Sequence, residues 1–279
     1  MRTRQPTGKA PWPITLIAGP EKVGKSWASA VASSDRRIDR TLWIGIGEDD
    51  PDEYGAIPGV RFEIVEHDGT FRDIERAVTE AVTEPGTNLI VLDSASQLWE
   101  LLSNMAQAEA NKRAAAKAAK YSKPGPVGDA QIDMDLWNKA KTSHRRIVNL
   151  LKSNDGPVVL TARMDVVTVM DDSGKPTKDK ETKIKVEKSL PYDATAIVEI
   201  HERGKAVLTG VRSLKGSPEA RIPLKAFTVT ALWDWLGVGD DIGPRNYQPH
   251  DGSQPNPEPA HPAHVGPQSL DDAIPWADQ

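Results

Sequence analysis

The sequence predicts an α/β fold: a mostly parallel sheet flanked by helices, with antiparallel hairpins at the C-terminal side. Three observations carry this. Short apolar runs alternate with segments of helical spacing from Ile14 to Thr161. A glycine-rich loop, Gly19-Pro20-Glu21-Lys22-Val23-Gly24-Lys25-Ser26, stands between one such run and a helical segment. From Asp165 to Ile200 the pattern changes to β-type alternation around turn-rich stretches.

The elements follow in order. Residues 1–11 read as a flexible basic arm (Arg2, Arg4, Lys9). Pro13 then precedes the apolar run Ile14 to Ala18, a buried strand, and Ser26 to Ala32 is helical. Thr41 to Ile46 is a second strand. Thr70 and Asp73 open a helix in capping-box fashion, with Ile74, Ala77, Val78, Ala81 and Val82 on one face until Pro85-Gly86 stops it. Asn88 to Asp93 is the next buried strand. Residues 103–130 are Ala-rich and basic with few large apolar groups, which predicts an exposed, mobile insertion. A helix from near Asp129 buries Ile132, Leu136, Ala140, Ile147 and Leu151 before Gly156, and Val158 to Thr161 is a further strand.

Residues 165–183 form a hairpin with a basic loop, and Ala196 to Ile200 pairs with Ala206 to Val211. A short helix, Ala231 to Leu236, ends at Gly237. Eight prolines and almost no large apolar groups follow, so residues 238–279 read as a disordered acidic tail. The organisation is thus an arm (1–11), one core (12–237) and a tail (238–279).

Composition narrows the chemistry. There are no cysteines, which excludes disulfides, thiolate metal sites and cysteine nucleophiles; the six histidines show no ligand spacing. The net charge of −5 is uneven: residues 238–279 carry −6, leaving the rest near +1. No apolar stretch approaches the ~20 residues of a membrane span, and no apolar signal-peptide core follows the arm. A cytoplasmic protein without membrane contact is expected.

The loop carries the most specific chemistry. Its glycines let backbone N–H groups and a helix N-terminus turn onto a phosphate. Gly19, Pro20, Glu21, Lys22, Val23, Gly24, Lys25, Ser26 and the adjoining Trp27 are the expected ATP contacts. Lys25 is directed at the β/γ-phosphates and Ser26 at Mg²⁺. Asp93, closing an apolar strand, is the second expected metal-ordering group and takes part in catalysis with Lys25. Ser94 follows it where many ATPases place a glutamate, so the general base must come from a neighbouring strand end. Glu48, in Gly47-Glu48-Asp49-Asp50-Pro51, is the candidate, because parallel strands deliver their C-terminal ends to one crevice. Thr161 or Arg163, at the third strand end, is placed to sense the γ-phosphate.

This order of features resembles the RecA-like P-loop core, and most closely the small core-only phage recombinases, the Sak-type single-strand annealing ATPases of the AAA family. The resemblance spans residues 13–237. It implies a catalytic Glu where Glu48 stands, a Walker B Asp-Ser where Asp93-Ser94 stands, and DNA-binding loops at 103–130 and at 165–180. It also implies lysines reaching a neighbouring subunit's nucleotide, at the positions of Lys185 and Lys188. The sensor strand reads Thr-Ala-Arg where bacterial recombinases have Gln. An oligomeric, phage-encoded, DNA-stimulated ATPase that binds single-stranded DNA and promotes pairing or annealing is expected, with Lys112, Arg113, Lys117, Lys120, Lys175 and Lys178 as DNA contacts. A helicase or helicase loader, and a small-molecule kinase, are the alternatives. The tail end, Asp271-Asp272-Ala273-Ile274-Pro275-Trp276, resembles the acidic-aromatic tip of bacterial single-stranded-DNA-binding proteins, which implies docking to host or phage replication and repair proteins.

Overall fold

The computed structural model describes residues 1, 3–121, 128–171, 175–214, 221–239 and 242–247. The predicted tail tip at 271–276 lies outside these residues, as does the tip of the predicted hairpin loop.

Among the described residues nine strands join, and their parallel members form the centre. In chain order they are β1 (Ile14–Gly19), β2 (Thr41–Gly45), β3 (Glu63–Ile64), β4 (Leu89–Asp93), β5 (Val158–Met170), β6 (Pro176–Ile184), β7 (Ala196–Glu202), β8 (Lys205–Val211) and β9 (Ile222–Leu224). Across the sheet they run β3-β2-β4-β5-β1-β7-β8-β9, with β6 paired to β5 off this path. β2, β3, β4, β5, β1 and β7 are mutually parallel where they pair, and β8, β9 and β6 are antiparallel additions. The fold class read from the sequence is the fold observed. β3, β9 and the turn of 3₁₀-helix at Pro51–Ala56 were not anticipated.

Helices cover both faces: α1 (Lys25–Ala32), α2 (Phe71–Thr83), α3 (Ala95–Lys120), α4 (Met134–Ser153), α5 (Leu190–Asp193) and α6 (Val229–Leu236). One core layer joins Leu16, Ile44, Ile74, Leu92, Leu98, Ile147 and Leu160 under α2, α3 and α4. The other joins Ile17, Trp43, Val91, Val198, Leu232 and Trp233 under α1 and α6. Alternating residues of the same strands serve opposite layers, as a two-sided parallel sheet requires. The expected cap forms, with Thr70 Oγ1 accepting from Asp73 N at 3.3 Å.

Two expectations are corrected. Residues 103–120 are the continuous second half of a docked α3 rather than a mobile insertion. Ala106 and Ala110 are 5% and 4% exposed. Small side chains let the helix approach its neighbours closely, so large apolar residues were not needed to seat it. Gln107 Nε2 donates to Ala130 O at 2.7 Å, and Asn111 Oδ1 accepts from Ala130 N at 2.7 Å, pinning the segment that leads to α4.

The compact unit also extends to Tyr247 rather than ending at Gly237. Gly237 does stop α6 with φ 86°, but Val238 is buried and the Arg245 guanidinium donates to four carbonyls. These belong to Trp12 (2.6 Å), Leu151 (3.1 Å), Asn154 (3.0 Å) and Gly156 (3.0 Å). Burial brings the Arg245 pKa down to about 10.

Candidate active site

β1 delivers the phosphate loop from a fully buried strand. Gly19 is demanded by close approach, since a Cβ there would lie 2.4 Å from Ile200 O and 2.9 Å from Val23 Cγ2. Gly24 caps α1 with φ 102°, a conformation other residues adopt at a cost. Lys22 sits at φ 61° without being glycine, so the loop carries local strain. Lys25 Nζ donates to Gly19 O at 3.1 Å and to Pro20 O at 2.6 Å. Burial holds its pKa below the ordinary lysine value, opposed by the charges of Asp93 and Glu48.

β5 lies between β1 and β4, so Thr161 stands beside Asp93. Thr161 Oγ1, fully buried, donates to Asp93 Oδ1. Burial pushes the Asp93 carboxyl above its usual pKa, and hydrogen bonds from Thr161 and Ser26 counter this. A buried carboxylate met by two hydroxyls and the Lys25 charge suits a hard divalent cation. Ser26 and Asp93 would hold Mg²⁺, which typically keeps several of its waters. When bound, the ion supplies neutralising charge to the phosphates.

Glu48 reaches the same rim from β2. Ile46 N donates to Asp93 O at 2.6 Å and Ser94 N to Ile46 O at 3.4 Å, which joins the ends of β2 and β4. Glu48 Oε1 accepts from Ser94 Oγ (2.6 Å) and from Arg163 Nε (2.9 Å), while Oε2 accepts from Arg163 Nη2 (2.8 Å). Arg163 is braced in turn. Its N–H donates to Ser96 Oγ at 2.8 Å, and Gln97, with its amide oxygen turned inward, accepts from Nη1 at 2.6 Å. The Glu48 carboxylate raises the Arg163 pKa above the usual arginine value.

The residues from Gly19 to Trp27 thus meet Glu48, Asp93, Thr161 and Arg163 at one end of the sheet. Tyr54 joins them unforeseen. Its hydroxyl bonds Ser26, burial raises its pKa, and its ring meets Trp27 edge-on at 6.3 Å. The Asp50-Pro51 pair was the available signal, because it starts the 3₁₀ turn that carries Tyr54. A groove of about 370 Å³ flanks the loop between Trp27, Val31, Ile200 and Phe227, with Arg203 and Lys205 at its rim.

The other expected residues lie apart. Lys185 N–H donates to Arg163 O at 2.9 Å, but its ammonium faces Glu100 (3.5 Å) and Asp165 (3.8 Å) of its own chain. Lys188 is exposed before α5. Lys112, Lys117 and Lys120 are exposed on α3, with Lys112 already about 25 Å along the helix from its start. Arg113 is engaged by Asp135 at 2.9 Å, Glu109 at 3.5 Å and Asp133 at 3.9 Å. Lys175 and Lys178 are exposed on the β5–β6 hairpin. No helix among the described residues is long and apolar enough to cross a membrane.

Among solved structures, the chain is similar to the RadB recombinase at 15% identity, covering 74% of this chain and 84% of that one, with a TM-score of 0.41. It is also similar to an ATPase from the type III secretion system of pathogenic bacteria at 12% identity, covering 67% and 51%, with a TM-score of 0.38. No curated protein matches it. The family described as AAA domain matches residues 13–225, which takes in the phosphate loop, Glu48, Asp93 and Arg163 together. The chain belongs to that family of P-loop ATPases.

Proposed function

We propose that this protein is a Mg²⁺-dependent, DNA-stimulated ATPase that binds single-stranded DNA and promotes homologous pairing or annealing as an oligomer. The observation that carries the reading is the attachment of the catalytic rim to an exposed hairpin whose second arm alternates lysines with Asp179 and Glu181. Arg163, bonded to Glu48, lies on the same unbroken strand that becomes the hairpin's first arm. The second arm is exposed along most of its length and bears Lys178, Lys180 and Lys183. A polyanion seated there would act on the strand that touches the catalytic carboxylate.

In this reading Lys25 and the loop amides hold the triphosphate, and the groove beside Trp27 takes the base. Glu48 accepts a proton from the attacking water. Thr161 and Arg163 report the state of the γ-phosphate through Asp93 and Glu48. Lys185 or Lys188 of one subunit completes a neighbour's site, once drawn away from its own-chain surroundings. Steady-state ATP turnover with and without single-stranded DNA tests the reading, using wild type and Glu48→Gln. Stimulation by DNA, lost with Glu48→Gln, is expected. A wild-type rate indifferent to DNA would reject it.

A further inference from the structure

We infer that Arg163 is a latch on Glu48: their two-point ion pair keeps the carboxylate occupied, and withdrawal of the guanidinium frees it to act. The inference rests on the reading of Glu48 as the general base. A carboxylate that takes a proton from water needs an oxygen lone pair directed at that water. Here Oε1 already receives Ser94 Oγ and Arg163 Nε, and Oε2 receives Arg163 Nη2, so three of the carboxylate's four lone pairs are taken and the fork, not a water, sets its orientation. The geometry is that of a bidentate fork, which fixes orientation as well as charge.

The two partners are held differently, and this gives the latch a direction. Glu48 is restrained by Ser94, the residue that caps α3. Arg163 is restrained by Ser96 and Gln97 in the first turn of that helix. Arg163 also belongs to the strand that leaves the sheet as the hairpin. Its carbonyl accepts from Lys185 N at 2.9 Å, where the returning arm ends. Arg163 is the last β5 residue in register with β1, opposite Gly19, so displacement of the hairpin would pull on it at the point where the strand leaves the sheet, while Glu48 stays with β2. The pair is partly open to solvent, with side chains 41% and 25% exposed, so its attraction is screened and releasable. The oxygens of a bound γ-phosphate are a natural second partner for the freed guanidinium.

The test is ATP turnover at saturating MgATP, with and without single-stranded DNA. It uses wild type, Arg163→Met, Arg163→Lys, Glu48→Gln and the double variant Arg163→Met/Glu48→Gln. Arg163→Met should raise the DNA-free rate about tenfold, equivalent to about 1.4 kcal/mol of restraint on the base, and shrink the stimulation by DNA to match. Arg163→Lys keeps the charge without the fork and should fall between; it also serves if the Met variant folds poorly. A DNA-free rate that is unchanged or lowered in both Arg163 variants overturns the latch while leaving Glu48 as base. A double variant that keeps the raised rate overturns it too, since the freed group is then not Glu48. Glu48→Gln turning over at the wild-type rate removes the underlying reading, and the latch with it.

Discussion

Two regions of the chain expose lysines, the net-basic far half of α3 and the β5–β6 hairpin, where carboxylates balance them, and they are built on opposite principles. In α3 the cations ride on a helix whose other face is sealed by Ala106 and Ala110, and Arg113 is committed to three carboxylates. Among the described residues the hairpin's second arm pairs with its first alone and is exposed nearly throughout, Lys183 meets Glu181 at 2.5 Å on that same arm, and the root is the strand that carries Thr161 and Arg163. Similar lysine content therefore means different things. A lysine on a docked helix far from the site mostly solvates its face; one on a lever rooted in the site can change the chemistry when it meets phosphate.

The comparison can be broken or sharpened at several points. The largest effect is expected at the residue to which the lever is tied: Glu48→Gln should slow turnover about 10²- to 10⁴-fold, the usual worth of a positioned base, with nucleotide binding by equilibrium titration retained. Next is His144, which sits 1% exposed against the Trp99 ring in the α3–α4 seam. Burial lowers its pKa to about 4, so it stays neutral when folded, whereas the unfolded chain takes up a proton below the ordinary value of about 6.5. The folded state should therefore lose about 3 kcal/mol as pH falls from 6.5 toward 4. Denaturant titrations across that range should show the loss, and His144→Phe should flatten it.

Smaller effects separate the two regions directly. Ala110→Leu should overpack the α3 seat and cost about 1–3 kcal/mol by thermal or chemical melting, leaving DNA affinity of the folded protein intact. Replacing Lys175, Lys178 and Lys180 with Ala should lower the slope of log affinity against log salt by about 2 for single-stranded DNA and weaken stimulation. The same change at Lys112, Lys117 and Lys120 should alter that slope by less than about 1. If the helix variant shows the larger change, the two regions have been assigned the wrong way round.

Local signals were legible in the sequence, and spatial ones were not. The strand-loop-helix of residues 14–32 and the strand ending at Asp93 each depend on neighbours in the chain. Glu48 was reachable by topology alone, since parallel strands share a C-terminal edge. The contacts that define the rim, Thr161 with Asp93 and Arg163 with Glu48, depend on β5 lying between β1 and β4, and strand order leaves no local trace. Residues 103–120 read as loosely attached because alanine reveals a seat only when its partner surface is known. Residues 242–247 read as tail because Arg245 bonds main-chain carbonyls, for which no side-chain pattern exists.

That arginine has a practical consequence for anyone shortening the protein. Its four carbonyl partners lie just before β1 and between the last turn of α4 and the start of β5, roughly 20 Å of strand away from the phosphate loop. Cutting at Gly237, where the last helix ends, would strip a plug from the base of the sheet and leave those oxygens to water. Cutting after Tyr247 would keep the plug, and the Tyr247 hydroxyl bond to Asn149 at 2.5 Å with it. The shortest form worth purifying ends ten residues later than the composition suggests.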